Sequence, residues 1–132
     1  MGDRLNIEFI YGVYEWNPET NKSEKVGESS VHLYSHWGGH RILFSKEEGS
    51  LSDAIDEARN RWRDPAYFSR IVMTRLIGEQ WSQNLSWGIA PYEQDSEYPE
   101  LKIHIDEQLI EFDGTTQSFE EVASDKEWAI EG

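Results

Sequence analysis

A chain of 132 residues makes one domain, long enough to bury a core without cross-links. It has no cysteine, which excludes disulfides and thiolate metal sites. No apolar run approaches a membrane span, so the sequence predicts a soluble cytoplasmic protein with no membrane partner.

The first strand signal covers residues 6–16, rich in β-branched and aromatic side chains, with Ile7, Phe9, Tyr11 and Val13 alternating onto one face. Residues 17–22 read as a turn, so a second strand returns antiparallel. It runs through Lys25 and Val26, loosens at residues 27–30 and resumes over 31–35. Residues 41–44 form a short apolar run that reads either as a strand or as the lead into a helix.

Ser50 and Asp53 carry a capping-box pattern, and Leu51, Ile55, Ala58 and Trp62 then fall on one helical stripe. Arg59, Arg61 and Arg63 lie in the last turns, where positive charge suits the helix dipole. Asp64 and Pro65 end that helix and open the next, whose apolar face holds Tyr67, Phe68, Ile71, Val72, Leu76 and Ile77. Residues 86–92 predict a strand interrupted by Gly88 and Pro91, hence an edge or a bulge. After a polar loop at 95–99, Leu101, Ile103 and Ile105 alternate and residues 109–112 complete a hairpin. Asp113-Gly114 is a turn, and Ser118 to Glu121 is a capping box opening a short terminal helix. With no repeat, low-complexity tract or linker, the expected fold is a single α+β domain. It is a mainly antiparallel sheet of about four to six strands, with two central helices (50–63 and 65–80) packed on one face.

Charge and motif locate the candidate site. The net charge of −14 is uneven: residues 58–78 hold Arg59, Arg61, Arg63, Arg70 and Arg75 against Asp64 alone, a local +4 that leaves −18 elsewhere. That balance opposes direct binding to nucleic acid. The arginines either pair with the acidic surface or hold an anion such as a phosphate. Tyr34, Ser35, His36, Trp37, Gly38, Gly39, His40 and Arg41 concentrate chemistry at a strand end where two glycines allow φ > 0 or a close approach. Trp37 offers a flat face for a nucleobase, Gly38 and Gly39 an anion-accepting nest of N–H groups, and His36, His40, Arg41, Arg59, Arg63 and Arg70 the rest of a phosphate site. In the competing structural reading Trp37 caps the core and the glycines make a tight hairpin turn.

His32, His36 and His40 are four apart. On a strand that spacing spans roughly 13 Å, too long for shared metal coordination, and no HExxH pattern is present, so no metal and no cofactor are expected. Ser35 and His36 point to opposite faces and there is no GxSxG elbow, so no catalytic residue is assigned.

Residues 34–39, followed by a helix closing on Arg61-Trp62-Arg63 and Asp64-Pro65-Ala66-Tyr67 and by a Trp87-Gly88-Ile89 strand, resemble a group of small uncharacterised phage and bacterial proteins with a Y-S/T-H-W-G-G motif. The resemblance covers roughly residues 31–112 and transfers no established activity. It implies a phage setting, the host cytoplasm, and antagonism of host defence.

The expected function is non-enzymatic binding of an anionic, nucleotide-like small molecule. One alternative is a nucleic-acid mimic whose carboxylates over 93–113 and 120–131 occupy a basic host protein. The other is a metal-independent phosphoester hydrolase using His36 and His40 as base and acid.

Overall fold

The computed structural model describes residues 3–124 and shows an α+β fold: a six-stranded mixed, mostly antiparallel sheet and four helices. The acidic positions at 125–131 lie outside the described residues. β1 (Leu5–Asn17) and β2 (Lys22–Ser35) form a long antiparallel hairpin. β3 (Trp87–Ala90), β4 (Leu101–His104), β5 (Leu109–Phe112) and β6 (Thr115–Ser118) complete the sheet in the order β3-β2-β1-β4-β5-β6. Every neighbouring pair is antiparallel except β1 and β4.

The alternation in β1 buries less than its pattern suggests. Leu5, Ile7 and Phe9 are fully buried, whereas Tyr11 is half-buried and Val13 is 38 % exposed. The cause is the length of the neighbours: β4 pairs with β1 only along residues 7–10, and β3 with β2 only along 32–35. Past Ile10 the hairpin continues alone as a two-stranded arm. The expected loosening at 27–30 is absent, because Gly27, Glu28, Ser29 and Ser30 are all paired. The irregularity is one residue earlier, where the register steps from Val13↔Gly27 to Tyr14↔Lys25 and leaves Val26 unopposed as a bulge. The turn of residues 105–108 clasps the base of the arm, Tyr14 Oη donating to Asp106 Oδ2 at 2.7 Å.

The helices cover one face. α1 (Gly39–Phe44) follows β2 directly, so residues 41–44 are helical and not a strand. α2 (Leu51–Glu57) starts at Ser50, whose Oγ accepts from the Asp53 N–H at 3.2 Å while Asp53 accepts from the Gly49 N–H. It ends six residues short of the expected boundary at 63, and Arg59–Arg61 form a separate 3₁₀ turn. α3 (Pro65–Ile77) is capped by Asp64 and stops at Gly78, where φ is +61°. α4 (Phe119–Ser124) opens with a reciprocal capping box between Ser118 and Glu121. Between sheet and helices the core packs Leu5, Ile7, Phe9, Leu33, Leu101 and Ile103 against Leu43, Ile55, Phe68, Val72, Leu76 and Phe119. Phe68 and Phe119 stack at 5.0 Å between ring centroids.

The parallel pairing of β1 with β4 forces the chain from β3 to cross β2 and β1. Residues 91–100 make that crossing on the face opposite the helices, held by the Gln94 N–H on Asn6 Oδ1 at 3.1 Å and the Glu97 N–H on the Arg4 carbonyl. Beneath lies a buried polar cluster. Asn6 Nδ2 meets His32 Nδ1 at 2.9 Å, and His32 Nε2 is 3.7 Å from Glu8. Glu8 and Glu100 hydrogen-bond each other, which requires one shared proton. Burial, then the bond to Glu8 and the Glu8 and Glu93 charges, push Glu100 up to about 7. Glu8 goes the other way: burial opposes ionisation, but hydrogen bonds from Ser30 and Glu100 and the proximity of His32 outweigh it.

Because Glu100 holds its proton more tightly folded than unfolded, its contribution to stability is complete below about 4.5 and is lost as pH rises through about 7. Glu100→Gln, which keeps the donor, is expected to match the wild type at pH 5. At pH 8 it should exceed it by about 1 kcal/mol in urea denaturation.

Candidate functional site

The corner between β2 and α1 is held from within. Ser35, fully buried on the helix side of the sheet, accepts from the Gly38 N–H at 2.8 Å. The His36 N–H donates to the Ser86 carbonyl at 2.7 Å, which ties the corner to the start of β3. The Gly39 N–H donates to the Asp3 carbonyl at 3.0 Å and the His40 N–H to Asp3 Oδ1 at 2.8 Å. Tyr98 Oη donates to the same carboxylate oxygen at 2.6 Å, and that bond pushes the phenol up to about 12.

These bonds revise three expectations. The N–H groups of Gly38, Gly39 and His40 are all engaged inside the protein, so they form no open anion nest. Neither glycine has positive φ, and the chain enters α1 in place of a hairpin. What the glycines supply is close approach. A Cβ on Gly39 would stand 2.5 Å from the Tyr98 ring and 2.8 Å from the Asp3 carbonyl, and one on Gly38 would stand 2.5 Å from Ser35 Oγ.

A cleft of about 540 Å³ opens between this corner, Trp87 and the C-terminal end of α3. Trp37, 62 % exposed, stands on one side. Gly38 separates two other groups: its missing Cβ would lie 3.4 Å from the Trp87 ring and 3.5 Å from Arg41 Nη2. Trp87 Nε1 donates to Gln80 Oε1 at 2.6 Å, which fixes the indole. Arg41 Nη2 donates to the Leu76 carbonyl at 2.8 Å, and Gly49, at φ +88°, leaves room for Arg41 Nη1 where a Cβ would be 2.6 Å away. On the far wall Arg75 grips Asp53 through Nε (2.7 Å) and Nη2 (3.3 Å) and reaches Glu48 through Nη1 at 3.3 Å. Hydrogen bonding to Asp53 raises its pKa further. The two guanidiniums therefore differ: Arg75 is neutralised by carboxylates, while Arg41 has no ion-pair partner among the described residues.

Of the residues expected at the site, Trp37, Gly38 and Arg41 line the cleft. The others do not. Tyr34 lies on the opposite face of the sheet and shares a 2.6 Å hydrogen bond with His36 Nδ1, and His36 sets its ring edge-on to Trp37. Gly39 is buried under Tyr98, and His40 packs on Phe44. The two histidines thus have separate neighbours, and neither lines the cleft. Arg59 pairs with Asp56 and Glu120 and lies over Trp62; Arg70 lies over Tyr67; Arg63 lines a separate depression with Tyr14. Arg59 and Arg63 precede α3 and are set apart from Arg75 by most of that helix, about 15 Å, whereas Arg70 stands about 7–8 Å before Arg75 along the axis and does not line the cleft. The site residues not singled out from sequence are Arg75, Glu48, Gln80 and Trp87. Trp87 carried a signal, because it sits in the Trp-Gly-Ile strand of the resembling group.

Comparison with protein-family models, curated proteins and solved structures finds no match to this chain.

Gly39→Ala is expected to lower stability by about 1–3 kcal/mol in denaturant unfolding, since the Tyr98 ring and the Asp3 backbone must both yield. Gly27→Ala on the arm, where a Cβ meets nothing within 4 Å, should cost nothing measurable.

Proposed function

We propose that the protein binds, without catalysis, a small anionic ligand carrying a planar nucleotide-like group, and that the cleft of Trp37, Trp87 and Arg41 is where it binds. One observation carries this reading: Arg41, a guanidinium without a carboxylate partner among the described residues, lines a cleft together with two indoles in a chain of net charge −14. Stacking a base on an indole contributes about 1–3 kcal/mol. A charge-assisted bond to Arg41 adds to that and orients the anion.

The balance of charge around the cleft narrows the ligand. Glu48 and Glu79 line it together with Arg41 and Arg75, so the lining is neutral overall. Such a lining favours a single phosphate, a cyclic phosphate or a carboxylate over a polyphosphate. The carboxylates and Gln80 supply acceptors for ribose hydroxyls or exocyclic amines. The Tyr34–Gly39 motif and its likeness to small phage proteins support placing this binding in the host cytoplasm, as removal of a signalling ligand used in defence.

The net charge of −14 supports a second reading, in which the acidic surface occupies the basic groove of a host protein. Thermal unfolding against nucleoside monophosphates, cyclic nucleotides and polyphosphates separates the two. A ligand at a hundred times its Kd adds about 2.7 kcal/mol. We expect a rise of several degrees with one monophosphate-class compound, lost in Arg41→Ala and Trp37→Ala and kept in Arg59→Ala. A flat panel, together with salt-sensitive capture of a basic protein, would overturn the cleft reading in favour of the acidic surface.

A further inference from the structure

The 3₁₀ turn and the first half of α3 carry arginines that the described carboxylates pair unevenly. Arg59 is held by Asp56 and Glu120. Its neighbours are different. The nearest carboxylate to Arg61 is Asp64, 4.0 Å away and already capping α3 through its other oxygen. Arg63 and Arg70 are exposed and form no ion pair among the described residues. In a chain with 26 acids against 12 bases, three adjacent arginines so lightly paired mark a surface kept positive.

The same surface is stiffened and partly apolar. The Arg61 and Arg70 guanidiniums lie 4.8 and 5.8 Å from the centroid of the Tyr67 ring, which is 49 % exposed. These cation–π contacts restrain both side chains, so less of their freedom remains to be lost on binding. Arg63 borders a depression of about 310 Å³ lined by Tyr14, Trp62, Pro65 and Ile105. Asp106 and Gln108 also line it, so the hollow is part apolar and part polar, and exposed tyrosine and arginine beside it match the composition of an interface centre.

We propose that this corner of the 3₁₀ turn and α3 docks an acidic segment of a partner protein. The partner's carboxylates meet Arg61, Arg63 and Arg70, and an apolar side chain enters the hollow beside Trp62. Charge complementarity selects this occupant. The positive area is short and bordered by Asp64 and Asp106, so a nucleic acid would run its next phosphates onto carboxylates, whereas an acidic peptide can present its charge locally. The site is distinct from the cleft, whose lining includes none of Arg61, Arg63 and Arg70.

The test uses the full chain and a fluorescein-labelled peptide alternating glutamate and leucine, followed by fluorescence anisotropy at rising salt. A glutamine-for-glutamate peptide and a single-stranded oligonucleotide are run alongside. Binding of the glutamate peptide alone, weakened by salt and reduced at least tenfold in Arg61→Ala/Arg70→Ala and in Arg63→Ala, is the expected result. Arg61→Lys/Arg70→Lys keeps the charge but loses the planar stack, and should show an intermediate loss while retaining the wild-type unfolding midpoint. Lys22→Ala removes a charge from the tip of the arm and should change nothing. The proposal is overturned by absence of peptide binding, by an equal loss in Lys22→Ala, or by tighter binding of the oligonucleotide to the same arginines.

Discussion

Within the long strand β1, Ile7 to Ile10 are the residues paired on both edges at once, with β2 on one side and, in the sheet's one parallel pairing among the described residues, β4 on the other. That double pairing joins the two halves of the sheet, and the parts on either side of it follow. Toward the N-terminus, Asp3 to Asn6 run beyond the reach of β4 and spend their hydrogen bonds on the glycine corner and the crossing loop. Toward the C-terminus, β1 and β2 leave the sheet together as the arm. A single strand therefore sets the site, the loop and the projection by where its neighbours begin and stop.

The acidity of the chain and its basic residues are reconciled by location. Arg59 and Arg75 satisfy carboxylates from neighbouring elements and act as ties between α2, α4 and the loop before α2. Arg41 sits in the cleft, where among the described residues its partner is a backbone carbonyl, and Arg61 and Arg70 lie over the Tyr67 ring. Desolvation and pairing, more than sequence proximity, decide which guanidiniums remain available. The arginine-rich window of residues 58–78 has been divided by the fold into structural and exposed members.

Much of the fold was legible because its signals are local. The Leu51–Ile55–Ala58 stripe, the Ser50 and Asp64 caps, the Asp113-Gly114 turn and the alternation in β4 each appear within a few residues of one another. What failed was non-local. Val13 alternates correctly, yet no neighbouring strand covers it. The helix expected to reach residue 63 ends at Glu57, and nothing in its composition marks the switch to a 3₁₀ turn. At the site, two glycines announced an unusual backbone, but their use depends on Asp3, 37 residues before His40, and on Tyr98, 95 residues after Asp3. Arg75 was visible as part of the basic window, and only the closure of α3 against the loop at Glu48 and Gly49 places it in the cleft.

The crossing from β3 to β4 has a temporal side. The first strand to be made receives its inner neighbour only when residues 101–104 arrive, and the Asp3 clamp on the glycine corner is completed by Tyr98 at the same stage. Contacts of such separation form slowly, because a long loop must close before they are rewarded. On the ribosome the β1–β2 hairpin and the α2–α3 pair can assemble from nearby residues. Meanwhile the edge of β1 that β4 will cover stays open until most of the chain has emerged. The cleft's own lining is thus complete in the chain by Trp87, but the corner beneath it is clamped only once Tyr98 has arrived and the crossing has been made.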